Sequence, residues 1–117
     1  MLSEELKKVI KGEVKSDDET LTKYSRDASL FEIRPEVVVF PKDVDDVRSL
    51  VRFASSHKGE MPKISLTARS GGTDMTGECI NDSIILDFTK HFTREEVDTA
   101  GLSAVVEPGV FYRNFEE

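Results

Sequence analysis

The sequence predicts an α+β fold: a βαβ unit whose small parallel or mixed sheet is flanked by helices, followed by the start of a second mixed sheet. Three observations carry this. Residues 36–40, 64–67 and 83–88 are short runs rich in β-branched and aliphatic side chains, separated by turn-forming residues. Between the first two runs, Val44, Val47, Leu50, Val51 and Ala54 repeat at helical spacing. Downstream, residues 95–98 and 102–107 read as two strands joined around Thr99-Ala100-Gly101.

The chain opens with a short helix that Ser3 caps and Gly12 stops, running through Lys11 with Leu6, Val9 and Ile10 on one face. Glu4 and Glu5 in its first turn and Lys7, Lys8 and Lys11 later suit the helix dipole. Residues 17–24 form a second short helix behind an acidic cap, and the polar residues 25–29 read as an extended connector. Pro35 disfavours helix at Arg34 and starts a new segment. Residues 36–40 are apolar without alternation, which predicts burial on both faces. Pro41 ends that strand, Asp43 caps the next helix, and Asp46 lies in its first turn. The helix closes near Ser56 with His57-Lys58-Gly59. Strand 64–67 then completes a strand–helix–strand unit, for which right-handed parallel pairing is the default. Residues 89–92 form a turn after strand 83–88. Pro108-Gly109 breaks the last strand, and residues 110–117 begin a helix with Val110, Phe111 and Phe115 on its apolar side. No cap or stop signal follows, so the expectation is a chain cut inside a larger domain. Apolar surface left open there would favour self-association.

Composition narrows the function. The 117 residues suffice for one small domain with a core. With 23 acidic and 16 basic residues the net charge is -7, which argues against nucleic acid or an anionic membrane as a general partner. Cys79 is the single cysteine, so no internal disulfide or cysteine-based zinc site forms, and the expected compartment is the reducing cytoplasm. Its expected role is a buried apolar filler. No apolar run approaches the about 20 residues that span a bilayer, and the acidic start Met1-Leu2-Ser3-Glu4-Glu5 lacks the apolar core of a secretion signal. His57 suits a helix-capping role and His91 stands isolated; neither sits at metal-ligand spacing, so neither a catalytic nor a metal-binding residue is nominated.

The chemistry gathers in Ala68-Arg69-Ser70-Gly71-Gly72-Thr73-Asp74-Met75-Thr76-Gly77. Glycines allow positive φ and close approach of a ligand. Successive N–H groups in such a loop form a concave anion site, and Arg69 offers a planar donor fork for phosphate oxygens. The plain alternative is a connector between two strands within a non-enzymatic interaction module. The loop's place after the second strand of a βαβ unit favours ligand binding. Gly72 and Gly77 have P-loop spacing, but Glu78 and Cys79 stand where Lys and Ser or Thr belong, so nucleotide hydrolysis is not expected. The G-x-G-x-x-G fingerprint is absent, and no helix follows to serve as a phosphate site.

Taken in order, these pieces resemble a known family. Tyr24-Ser25-Arg26-Asp27-Ala28-Ser29, Pro35 with Val37-Val38-Val39-Phe40-Pro41 and Val47, the loop 69–77, Ile85-Leu86-Asp87-Phe88, and Val105-Val106-Glu107-Pro108-Gly109-Val110 are similar to the start of the FAD-binding domain of the vanillyl-alcohol oxidase/p-cresol methylhydroxylase superfamily. Its branch of D-lactate dehydrogenases and glycolate oxidases is the most similar. The resemblance implies an incomplete FAD-binding domain of the p-cresol methylhydroxylase type. Residues 1–34 would be an N-terminal helical segment, 35–90 the first FAD-binding subdomain and 91–117 the start of the second. It implies FAD contacts at Arg69, Ser70, Gly71, Gly72, Thr73, Asp74 and Gly77, and at Pro108 and Gly109. Relatives that link flavin covalently through this loop often carry a histidine after Gly-Gly; Thr73 stands there, so non-covalent FAD is expected. Asp74 replaces a serine common in that branch, and its carboxylate is expected to point away from the phosphates or cap an N–H. The parent would be an oxidoreductase acting on a small 2-hydroxy acid such as D-lactate or glycolate, with its catalytic groups outside this chain and the fragment inactive alone.

Overall fold

The computed structural model describes residues 1–116. The elements run α1 (Leu2–Lys7), β1 (Glu13–Lys15), α2 (Asp18–Lys23), β2 (Val37–Phe40), α3 (Val44–Ser56), β3 (Leu66–Arg69), β4 (Ile84–Asp87), β5 (Glu95–Asp98), β6 (Ser103–Val106) and α4 (Tyr112–Glu116). Two sheets form: a mixed sheet in the order β1-β2-β4-β3 and a ribbon of β5 and β6. Among the described residues, no helix is long and apolar enough to cross a membrane.

β2, β3 and β4 are parallel, but β2 and β3 are not neighbours. β4 lies between them, with Ile85 opposite both Val38 and Thr67. The direct pairing expected of a strand–helix–strand unit is therefore corrected. The reason is burial: all four residues of β4 are buried, so it takes the centre. β3 is only partly buried and takes an edge. At the other edge β1 runs antiparallel to β2.

Side chains alternate across a sheet, and the core divides accordingly. Val37, Val39, Ile84 and Leu86 pack with Leu50, Phe53 and Ala54 of α3 and with Leu2 and Leu6 of α1. Val38 and Ile85 face the other way, against Leu21 and Tyr24. The unbroken apolar run in β2 thus reflects helical cover on both faces, as its sequence implies. Each fully buried aliphatic side chain contributes about 1.5–3 kcal/mol relative to exposure.

The N-terminal segment departs from expectation. Ser3 is buried inside α1 rather than capping it, and Met1 is the N-cap without a side-chain bond. Burial of Leu2 and Leu6 pulls the helix start forward. The helix also stops at Lys7, because the N–H groups of Lys11 and Gly12 bond to the Asp46 carboxylate, each at 2.9 Å. The chain then continues into β1, an element the sequence pattern does not announce. Residues 25–33 are a closed loop rather than an open connector: Ile33 N–H donates to Ser25 C=O at 2.9 Å, and Arg26 pairs with Glu32. His91 is not isolated, since its Nε2 lies 2.9 Å from a Glu13 carboxylate oxygen. His57 does cap α3, with Nδ1 2.8 Å from Phe53 C=O and its ring stacked on Phe53.

Asp46 is more than a dipole partner. It is buried, and besides Lys11 and Gly12 its carboxylate accepts from Lys42 N–H at 2.9 Å. The Asp43 side chain in turn accepts from Asp46 N–H. Asp46→Ala strands three backbone donors, so urea unfolding should show a loss of about 3 kcal/mol, with Asp46→Asn losing less. A loss below about 0.5 kcal/mol would mean that water replaces the carboxylate at no cost.

Candidate functional site

The glycine loop leaves the C-terminal end of β3 at Arg69, beside the C-terminal end of β4, where Arg69 pairs with Asp87 in the register. Ligand sites in parallel sheets lie at this end. A surface cavity beside Glu36, Ile64 and Ser83 lies at the opposite end, where the same strands begin.

Period-two geometry sets the first contact. Arg69 and Asp87 share a face with Val38 and Ile85, the face covered by α2 and Tyr24. Tyr24 donates its hydroxyl to Asp87, whose other oxygen accepts from Thr89 N–H at 2.7 Å and Thr89 Oγ1 at 2.6 Å. Burial and then the Asp87 carboxylate push the Tyr24 phenol well above its ordinary pKa, so it stays a donor. The Arg69 guanidinium carbon lies 4.8 Å from the centre of the Tyr24 ring, and Nη1 donates to Tyr24 C=O at 3.5 Å. Arg69 therefore lays its guanidinium on the Tyr24 ring and spends Nη1 on the Tyr24 carbonyl.

Gly72 sits over that guanidinium. Its φ is +70°, and an added Cβ would fall 2.5 Å from Arg69 Nη2. Gly77 also has positive φ, +81°, with the Phe31 ring 3.1 Å from where a Cβ would be. These are positions only glycine fills without strain. Gly71 and Thr73 are exposed, and the Phe111 ring lies 3.2 Å from a Cβ built on Gly71. Ser70 Oγ donates to Pro108 C=O at 2.6 Å, which brings the loop to the Pro108-Gly109 turn across 38 residues. Gly109 itself is buried: its N–H donates to Phe92 C=O at 2.8 Å, and a Cβ there would fall 2.0 Å from Phe88 O. Its role in the structure is close packing that anchors the turn.

Asp74 turns towards Cys79 and Asp27, with one side-chain oxygen or sulfur from each lying within 4.8 Å of the others. Cys79 Sγ donates weakly to Asp27 at 3.7 Å. Burial, and then Asp74, push the Cys79 thiol up to about 11. Cys79 is 2% exposed, the filler that its sequence context suggests.

Among the described residues, no backbone N–H from Ser70 to Gly77 donates to a protein acceptor. Here none of them is spent inside the protein, in a loop bent by two left-handed glycines. The donors fit an anionic group such as a diphosphate. Of the nine residues that sequence and resemblance nominate, 69–74 and 77 form one loop, and Pro108 joins it through Ser70. Tyr24 enters only by resemblance and Asp87 not at all as a site residue. The available signal was one carboxylate at the end of an apolar strand.

Fold and loop together put a glycine loop with unspent N–H donors at the carboxyl ends of a parallel sheet. Residues 35–117 match the family described as FAD binding domain, and the chain belongs to that family, within the vanillyl-alcohol oxidase/p-cresol methylhydroxylase superfamily. It is 31% identical over 81 residues to a D-2-hydroxyglutarate dehydrogenase of Pseudomonas putida, covering 69% of this chain and 8% of that protein. It is 29% identical over 89 residues to the mitochondrial D-lactate dehydrogenase [cytochrome] of Kluyveromyces lactis, covering 72% of this chain and 15% of the relative. Among solved structures, 6-hydroxy-D-nicotine oxidase from Arthrobacter nicotinovorans superposes with a TM-score of 0.70 at 29% identity, over 86% of this chain and 22% of the other. The chain thus spans less than a quarter of each of these proteins.

Burial and the raised pKa make Cys79 inert. At about pH 8, where a free thiol is partly thiolate, iodoacetamide should leave native Cys79 unmodified while the urea-unfolded chain reacts readily. Equal rates in both states would show that the thiol is accessible.

Proposed function

We propose that residues 70–74 bind the diphosphate of non-covalent FAD, in a protein that oxidises a 2-hydroxy acid. The observation that carries the cofactor reading is the set of unspent N–H donors on the glycine loop. Bound FAD supplies the two-electron acceptor; this chain's part is to hold it and exclude other geometries. Ser70 links the loop to the Pro108 carbonyl, so the 108–109 turn lies against the same site. Thr73 follows Gly71-Gly72 and offers no nucleophile of the histidine kind, which supports non-covalent attachment. The substrate class rests on the names of the two relatives, whose substrates, D-2-hydroxyglutarate and D-lactate, both carry a carboxylate beside a secondary alcohol. No residue here is assigned a catalytic role.

The full-length protein that carries this domain should be yellow, and acid denaturation should release the flavin into the supernatant. Flavin that stays with the precipitate would contradict the non-covalent reading. A colourless protein that fails to take up added FAD would leave the loop a connector.

Gly72→Val places a β-branched residue at positive φ and drives its side chain towards Arg69. Flavin content should fall to near zero in the folded variant. Normal flavin content would show that the loop is not the diphosphate site.

A further inference from the structure

We infer that Asp87 and Tyr24 are positioning residues that hold Arg69 beneath Gly72 and so set the shape of the glycine loop before any ligand arrives. Neither belongs to the loop. The order of contacts makes the case. Asp87 is buried and fixed on one oxygen by Thr89. Its other oxygen takes the Tyr24 hydroxyl, and the edge-on contact of Tyr24 with Phe40, centroids 6.1 Å apart, fixes the ring plane. That ring is the platform for the Arg69 guanidinium, which the Tyr24 carbonyl also holds. The guanidinium in turn fills the space that a side chain at residue 72 would need. Gly72 is therefore seated on a positive charge whose position is decided two contacts away.

This assigns Arg69 a different task from a solvent-facing phosphate fork. Its charge lies beneath the loop, and its guanidinium packs against Gly72. A cation held over an aromatic ring and partly shielded from water is attracted more strongly than an exposed one. Removal of the ring should free the arginine and let the loop relax. Removal of the hydroxyl alone should loosen the ring and give a smaller effect.

The test uses the full-length protein with three substitutions: Tyr24→Leu, Tyr24→Phe and, as a control, Leu21→Val. Leu21 packs in the same small cluster as Tyr24 but has no part in the arginine stack. Trypsin reads the arginine directly. In flavin-free protein, cleavage of the Arg69–Ser70 bond is scored by mass spectrometry against cleavage at Arg94, an exposed internal reference. Tyr24→Leu should raise the ratio about tenfold, Tyr24→Phe less, and Leu21→Val not at all. FAD affinity, measured by titration of flavin fluorescence, should weaken about tenfold in Tyr24→Leu and stay within about twofold in Leu21→Val. An unchanged cleavage ratio in Tyr24→Leu overturns the inference, as does an equal rise in Leu21→Val, which would reduce the effect to general loosening. The affinity arm rests on the flavin reading and the cleavage arm does not. If the wild-type protein binds no FAD, that reading fails and the cleavage ratio alone decides the inference; if it binds FAD and Tyr24→Leu binds equally well, the inference fails.

Discussion

The place of β4 between β2 and β3 is the constraint on which the rest of this structure depends. Ile84, Ile85 and Leu86 are apolar on both faces, so the strand needs a neighbour on each edge and helical cover on each side. α3 and α1 provide one layer, and α2 with Tyr24 the other. The parallel register then follows the chain to its functional end. Because Ile84 opposes Leu66, Asp87 must oppose Arg69, and both lie on the Tyr24 face. The last residue of each of these two strands is thus an acid or a base, placed where the glycine loop begins.

Two buried carboxylates organise the loops around this sheet, by the same physics. A buried charge is tolerated when its lone pairs are taken by well-placed donors. Asp46 collects N–H groups from residues 11, 12 and 42 and so ties the N-terminal segment to the start of α3. Asp87 collects Thr89 and Tyr24 and so ties residues 24–33 to the end of β4. In both cases one side chain joins segments more than thirty residues apart. In both cases the ordinary sequence signal, an acid in a first helical turn or at a strand end, understates the role.

That explains what the sequence made legible. The helix over Val44–Ser56, the runs of β2 and β4 and the hairpin of β5 and β6 are local patterns, and periodicity reveals them. The glycine loop is legible for the same reason, since its demand for positive φ is written in its residues. β1 was missed because Glu13-Val14-Lys15 contains one apolar residue and becomes a strand only by pairing with β2. The order of strands was missed because two parallel strands can be neighbours or flank a third, and burial of the third decides. The contact of Arg69 with Tyr24 was not legible, because its aromatic partner lies 45 residues earlier. Contacts of that range leave no periodic trace.

The β5–β6 ribbon shows how the Pro108-Gly109 turn is attached. Every residue of both strands is exposed, so the ribbon has little apolar burial to hold it in place. Its direction is instead fixed at its base. Glu107 N–H bonds to Arg94 C=O, Gly109 N–H bonds to Phe92 C=O, and the backbone of Gly109 passes so close to Phe88 that no side chain fits. Phe88 directly follows Asp87. The turn at Pro108 and the loop at Gly72 are therefore referred to the same strand end, one through Gly109 and Phe88, the other through Tyr24 and Arg69. The Ser70 hydroxyl closes this ring of contacts at the Pro108 carbonyl. Two loops from distant parts of the chain keep a fixed separation because each is measured from the end of β4.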